Sequence, residues 1–133
     1  MSRRARLPIV SAGIIELHDN RILIVCDADD HDPSRRWRFP RGIAAASESP
    51  ETAMRRIARN DLGLTVEIVV GQPPIPGNVD DQPVELRYFF CGVSDGELTP
   101  RPRITGRWVS KAHLREYAFD APSQPVVAWL LEP

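Results

Sequence analysis

Trp37 to Leu64, WRFPRGIAAASESPETAMRRIARNDLGL, is the stretch where loop chemistry and helix chemistry have to be read together. It runs from an aromatic strand end through a glycine turn and a small-residue loop into a helix with its own start and stop signals. Ser49 is placed to cap that helix with its side-chain oxygen. Pro50 suits the first helical position because its missing N–H would be unpaired there, and Glu51 complements the positive end of the dipole. Gly63 ends the helix by allowing a left-handed residue just past the last turn. The spacing predicts a helix over Pro50 to Leu62, packed on a sheet through Met54 and Ala58.

Upstream, Ile9 to Leu17 and Arg21 to Cys26 read as two strands joined at Asp19-Asn20. The second is apolar from Ile22 to Cys26, which predicts burial on both faces. The acidic segment that follows, Asp27 to Asp32, lacks the ligand spacing and glycine of a calcium loop and reads as a solvated surface loop. Downstream, Leu64 to Val70 alternates with Leu64, Val66, Ile68 and Val70 on one face. Gly71 to Pro83 contains Pro73, Pro74, Pro76 and Pro83, which exclude a helix or a central strand, so it reads as a long loop. Val84 to Val93 alternates again, with Val84, Leu86, Tyr88 and Phe90 opposite Glu85, Arg87, Phe89 and Cys91. Asp95-Gly96 breaks that strand. Arg107 to Val109 is a short strand, Ser110 caps a helix through about Glu116, and a last helix from near Ser123 shows Val126, Val127, Leu130 and Leu131 as an apolar stripe. A mixed sheet flanked by a helix from mid-chain and others from the end is a layered α/β or α+β sandwich.

With 133 residues, 42% of them hydrophobic, the chain is expected to form one domain over residues 1–133, the first eight being a frayed, basic end. No apolar run approaches the roughly 18 residues of a membrane span, and Met-Ser-Arg-Arg-Ala-Arg lacks the apolar segment of a secretory signal, so the expectation is a cytoplasmic protein. Cys26 and Cys91 sit in apolar strand-like runs and read as buried reduced thiols. The net charge of −1 argues for neither nucleic acid nor membrane. Its distribution is uneven, since every basic residue but Lys111 is arginine. Arg35, Arg36, Arg38 and Arg41 crowd the entry to the central stretch, and Arg55, Arg56 and Arg59 decorate its helix.

The central stretch resembles the signature of the Nudix hydrolase (MutT-like) family, G-x5-E-x7-R-E-U-x-E-E-x-G-U with U aliphatic. Gly42, Glu48, Arg56, Gly63 and Leu64 match, and Asp61 is a shortened version of the last glutamate. Ile57 and Asn60 stand where the family has two further glutamates, Ala45 where an acid is common, and Ser47 where a glycine is frequent. The lead-in Trp37-Arg38-Phe39-Pro40-Arg41-Gly42 is similar to the W-x-F/L-P-K-G of the branch that cleaves diadenosine polyphosphates and diphosphoinositol polyphosphates. Arg107-Trp108-Val109-Ser110 looks like the family's C-terminal segment. The resemblance implies an α+β fold, an α/β/α sandwich with a curved mixed sheet between helices. It also implies a hydrolase holding magnesium with helix carboxylates.

Positions 57, 60 and 61 share a helix face, so three carboxylates there make a cage of hard oxygen ligands. This chain keeps one, Asp61, and Ile57 offers no ligand at all. At about 4 Å, one carboxylate beside an opposite unit charge is worth on the order of 4 kcal/mol at a surface dielectric, so magnesium binding is expected to be weak or absent. The first reading is therefore a Nudix-fold protein with a degraded metal site. It binds a nucleotide or other diphosphate-containing ligand with weak or no hydrolysis, through Arg38, Arg41 and the Gly42 turn. The resemblance suggests that Glu48 and Arg56 support the loop and helix, with Gly63 a structural position. The alternative is an active magnesium-dependent pyrophosphohydrolase acting on a nucleoside diphosphate linked to another moiety, with Glu48 and Asp61 as its catalytic acids. A third reading is a nucleic-acid or protein interaction module in which Trp37 and Phe39, among the arginines, stack bases. A small phosphorylated ligand is favoured over nucleic acid, and the oligomeric state is left open, a homodimer being one option.

Overall fold

The computed structural model describes residues 6–27 and 36–132. The acidic segment from residue 28 on, Arg35, and the first five residues of the basic N-terminus lie outside the described residues. Pro8, within the end expected to fray, already joins the sheet by accepting the Glu85 N–H at 2.9 Å.

Strand β1 (Ile9–Glu16) leads into β2 (Arg21–Asp27). The connection is tight because Asn20 takes the left-handed conformation, φ 67°, while its N–H bonds the Leu17 carbonyl at 2.9 Å. Such a residue matches the hairpin's twist, and asparagine tolerates it better than most. Beyond Glu16 and Ile22 the two strands diverge, and β3 (Arg41–Ile43) takes the vacated edge, pairing Val10, Ser11 and Ala12 with Ile43, Gly42 and Arg41. Residues 36–40 fill the splay, with Arg38 bridging Val25 and the Gly13 N–H bonding the Pro40 carbonyl. On its other side β1 runs parallel to β6 (Gln82–Asp95), which pairs antiparallel with β4 (Thr65–Gly71) and β5 (Ile75–Val79). The far edge is β7 (Ile104–Ser110), antiparallel to β2.

The sheet is covered on both faces. Helix α1 (Pro50–Leu62) buries Met54, Ile57, Ala58 and Leu62 against Ile15, Leu23, Val25, Leu64, Val66, Phe89 and Cys91. The opposite face carries Val10, Ala12, Ile14, Phe39, Leu86 and Tyr88, closed by Leu114 from a 3-10 turn (Lys111–Glu116) and by Val126 and Leu130 from α2 (Gln124–Leu130). The α/β/α sandwich with a mixed sheet is thus observed. Helix α1 packs so close to β1 that a Cβ at Gly13 would stand 2.8 Å from the Met54 Cε.

Three expectations are corrected. Gly71 to Pro83 is not one long loop, because residues 75–79 form a strand. Proline is tolerated there since β5 pairs only with β6, and a missing N–H on the open side breaks no ladder bond. The alternation of Leu64 to Val70 fails at its end, where the pairing shifts between Ile68 and Val70 and leaves Val69 and Val70 exposed. Residues 111–116 wind as a 3-10 turn, and the Ser110 side chain makes no capping bond.

Candidate functional site

The site is built where the splay between β2 and β3 meets the α1 layer. Residues paired directly across a ladder share a face. Gly42 pairs with Ser11, whose Oγ donates to the Pro50 carbonyl at 2.8 Å, so Gly42 looks at α1. Arg38 lies opposite Val25, also on the α1 face, and its Nη2 donates to Asp27 Oδ1 at 3.1 Å. Arg41 pairs with Ala12 and faces the other layer, where its Nη1 stands 2.7 Å from Asp120 Oδ2. Among the described residues that contact is a charge pair without hydrogen-bond alignment. Arg38 and Arg41 therefore flank the turn from opposite faces of the sheet, instead of side by side along the helix. Both still line one narrow crevice of about 10 Å³ with Asp61 and Ile104, room for about one water. A larger hollow of about 210 Å³, lined by Leu86, Tyr88 and Pro122 among others, lies in the layer that Arg41 faces.

The loop into α1 is held by one carboxylate. Glu48 Oε1 accepts the Ala45 N–H at 2.9 Å and the Arg56 Nη2 at 2.7 Å, and Nη2 also donates to the Ile43 carbonyl at 3.0 Å. The Arg56 hydrogen bonds, then the Ala45 N–H, hold the Glu48 carboxyl below its ordinary range, and the same pairing raises Arg56. Glu48 is thereby committed to closing residues 43–48 onto the helix. Ser49 caps as expected, accepting the Thr52 N–H at 3.1 Å, and Gly63 ends the helix at φ 71°.

Along the motif face of α1 the three key positions diverge in environment. Ile57 is buried, and a Cβ at Gly42 would meet its Cδ1 at 2.9 Å and its Cγ1 at 3.0 Å. Asn60 is exposed, and Asp61 sits at the rim with its Oδ1 3.5 Å from Arg101 Nε. Among the described residues no three His, Cys, Asp or Glu side chains come together in a group able to hold a metal ion.

Phe39 is buried in the core beside Phe119 and Tyr88. Trp37 is half-buried against Tyr117, with the Arg107 guanidinium 5.5 Å above its ring. The stacking platform expected of an interaction module is thus corrected: Phe39 presents no face to solvent, and Trp37 is already packed on one side. Sequence reasoning missed Asp120 and Arg101, the partners of Arg41 and Asp61. Neither carries a local signal, being 79 and 40 positions from its partner.

A model of the NUDIX domain matches residues 7–130. The chain belongs to the Nudix family. It is 26% identical over 121 residues to the 8-oxo-dGTP diphosphatase of Escherichia coli (strain K12), covering 91% of this chain and 94% of that protein. Among solved structures it is similar to one from a structure and function analysis of MutT from Aliivibrio salmonicida and Vibrio cholerae. That match has a TM-score of 0.69 and 31% identity over 93% of this chain and 96% of the other. A NUDIX hydrolase from Nitrosomonas europaea shares the fold with a TM-score of 0.76 at 16% identity, over 95% and 86% of the two chains. Nudix hydrolases act on nucleoside diphosphates linked to another moiety and generally use Mg2+. No helix among the described residues is long and apolar enough to cross a membrane.

Proposed function

We propose that this Nudix-fold protein binds a nucleotide or another diphosphate-containing ligand at the Gly42 turn and hydrolyses it weakly or not at all. The observation that carries this reading is Ile57, whose buried side chain packs against Gly42 where the family motif has a glutamate. Magnesium takes hard oxygen ligands and is usually held through carboxylates and substrate phosphates. The donor set here, Asp61 paired to Arg101 beside an isoleucine and an asparagine, does not fit such a cage. Arginine suits phosphate because its planar fork grips oxygens in pairs, and Arg38 and Arg41 both line the crevice beside the turn.

The test is a panel of nucleoside triphosphates, nucleoside diphosphate sugars and dinucleoside polyphosphates, assayed for binding and for magnesium-dependent product release. Binding is expected without turnover. The affinity of Arg41→Gln is expected to fall at least about tenfold, the scale of a charge-assisted hydrogen bond. Equal affinity would remove Arg41 from the site. Turnover at about 1 s⁻¹ or faster, within the ordinary enzyme range, would overturn the reading.

The second reading is a working pyrophosphohydrolase, supported by the likeness to a relative named 8-oxo-dGTP diphosphatase and to MutT. Glu48 and Asp61 are then its acids. The same panel decides, with 8-oxo-dGTP as the first substrate tried. A dinucleoside polyphosphate tests the branch suggested by the Trp37 to Gly42 lead-in.

A further inference from the structure

We propose that Arg101 supplies, from the chain itself, the positive charge at Asp61 that a divalent cation supplies in Nudix hydrolases, so that this site holds a diphosphate without metal. The inference rests on the reading of the Gly42 turn as a diphosphate site, and it names the group that makes such a site work.

Two backbone bonds dock the segment after β6 onto the end of α1: the Thr99 N–H to the Leu62 carbonyl at 2.8 Å, and the Arg101 N–H to the Asp61 carbonyl at 2.9 Å. They set the Arg101 side chain beside Asp61, the one carboxylate left at the motif's three positions on the helix face, Nε to Oδ1 at 3.5 Å. The next residues close a turn, the Ile104 N–H bonding the Arg101 carbonyl at 3.2 Å, and Ile104 itself lines the crevice shared by Arg38, Arg41 and Asp61. Proline at the second position of such a turn is ordinary, but the third, Arg103, takes a φ of 72° where glycine is the usual occupant. The docked turn, with its left-handed third residue, thus places the Arg101 guanidinium beside Asp61, which lines the crevice. Among the described residues the Arg101 side chain makes no hydrogen bond, and it is 61% exposed. An exposed ion pair of this kind contributes little to stability, so its effect is to place charge. Its N–H donors remain available to phosphate oxygens, and arginine binds these in a fork without the deprotonated ligands that a metal requires.

The experiment is calorimetric titration with inorganic pyrophosphate and with ADP, each in excess EDTA and in millimolar magnesium. The wild type is expected to bind in EDTA with an affinity within about threefold of that in magnesium. Arg101→Gln is expected to lose at least about tenfold in EDTA, and Asp61→Asn, which removes the competing carboxylate, to bind at least as tightly as wild type. Arg115→Ala, the same charge change on the exposed 3-10 turn, is expected to bind within about twofold of wild type. Circular dichroism establishes that each variant is folded. Binding by the wild type only in magnesium, or undiminished binding by Arg101→Gln in EDTA, would overturn the inference while leaving a diphosphate site in place. Binding of neither probe in either buffer would remove the site itself.

Discussion

Ile57 and Gly42 meet so closely that a Cβ on the glycine would stand 2.9 Å from the Ile57 Cδ1, so an apolar side chain fills the space beside the turn where the family motif has a glutamate. Replacing Ile57 and Asn60 by glutamate puts three carboxylates back on one helix face, and magnesium affinity, read by calorimetry, is expected to rise over wild type. Because Ile57 is buried, Ile57→Glu alone should lower stability by about 1 to 3 kcal/mol, whereas Asn60→Glu on the exposed face should cost under about 0.5 kcal/mol. Thermal unfolding separates the two. Glu48 gives a pH test at the same scale. Its folded pKa lies below its ordinary value of 4.5, held there first by Arg56, so its contribution is present above that value and lost as pH falls through the folded pKa. Glu48→Gln should therefore be less stable than wild type at pH 7, and urea titrations should show the gap closing in strong acid.

Helix α1 is an element whose ends were written locally. Its cap, its N-terminal proline and its left-handed stop all lie within a turn of the residues they serve, and its bounds are those the sequence predicts. Ser49→Ala should cost about 1 kcal/mol by leaving the Thr52 N–H without its acceptor. Gly63→Ala should cost about 1 to 2 kcal/mol, because a side chain resists φ 71° and its Cβ would stand 3.1 Å from that of Thr99. Shifts in urea midpoint with unchanged slope check both. The strands were legible to the extent that one face was buried. β2, covered on both sides, read correctly as an apolar run, while β4 lost its alternation where a bulge releases Val69 to solvent. β5 was hidden by its prolines, since only its place at an edge makes them tolerable.

At the scale of the whole molecule the sheet and the C-terminal segment are joined by the Tyr88 hydroxyl, which donates to the Pro122 carbonyl at 3.1 Å. Tyr88→Phe should lose about 1 kcal/mol at neutral pH. Burial raises the Tyr88 phenol to about 12, so stability tied to the neutral form is full below its ordinary 10.0 and lost as pH rises toward 12. The variant should accordingly show a flatter alkaline profile in chemical denaturation. Cys91, also pushed up to about 12 by burial, and the equally buried Cys26 should react with a thiol reagent only at the rate of unfolding. Sequence by itself determined the helix, its caps, most strands, the two buried thiols and the family motif, because each is encoded by periodicity or by partners a few residues apart. Only the tertiary structure decided that Arg41 faces Asp120 across the sheet from Arg38 and that Arg101 returns to Asp61. These contacts join residues 40 to 79 positions apart, and they form only once the splayed sheet and the turn before β7 bring the segments together.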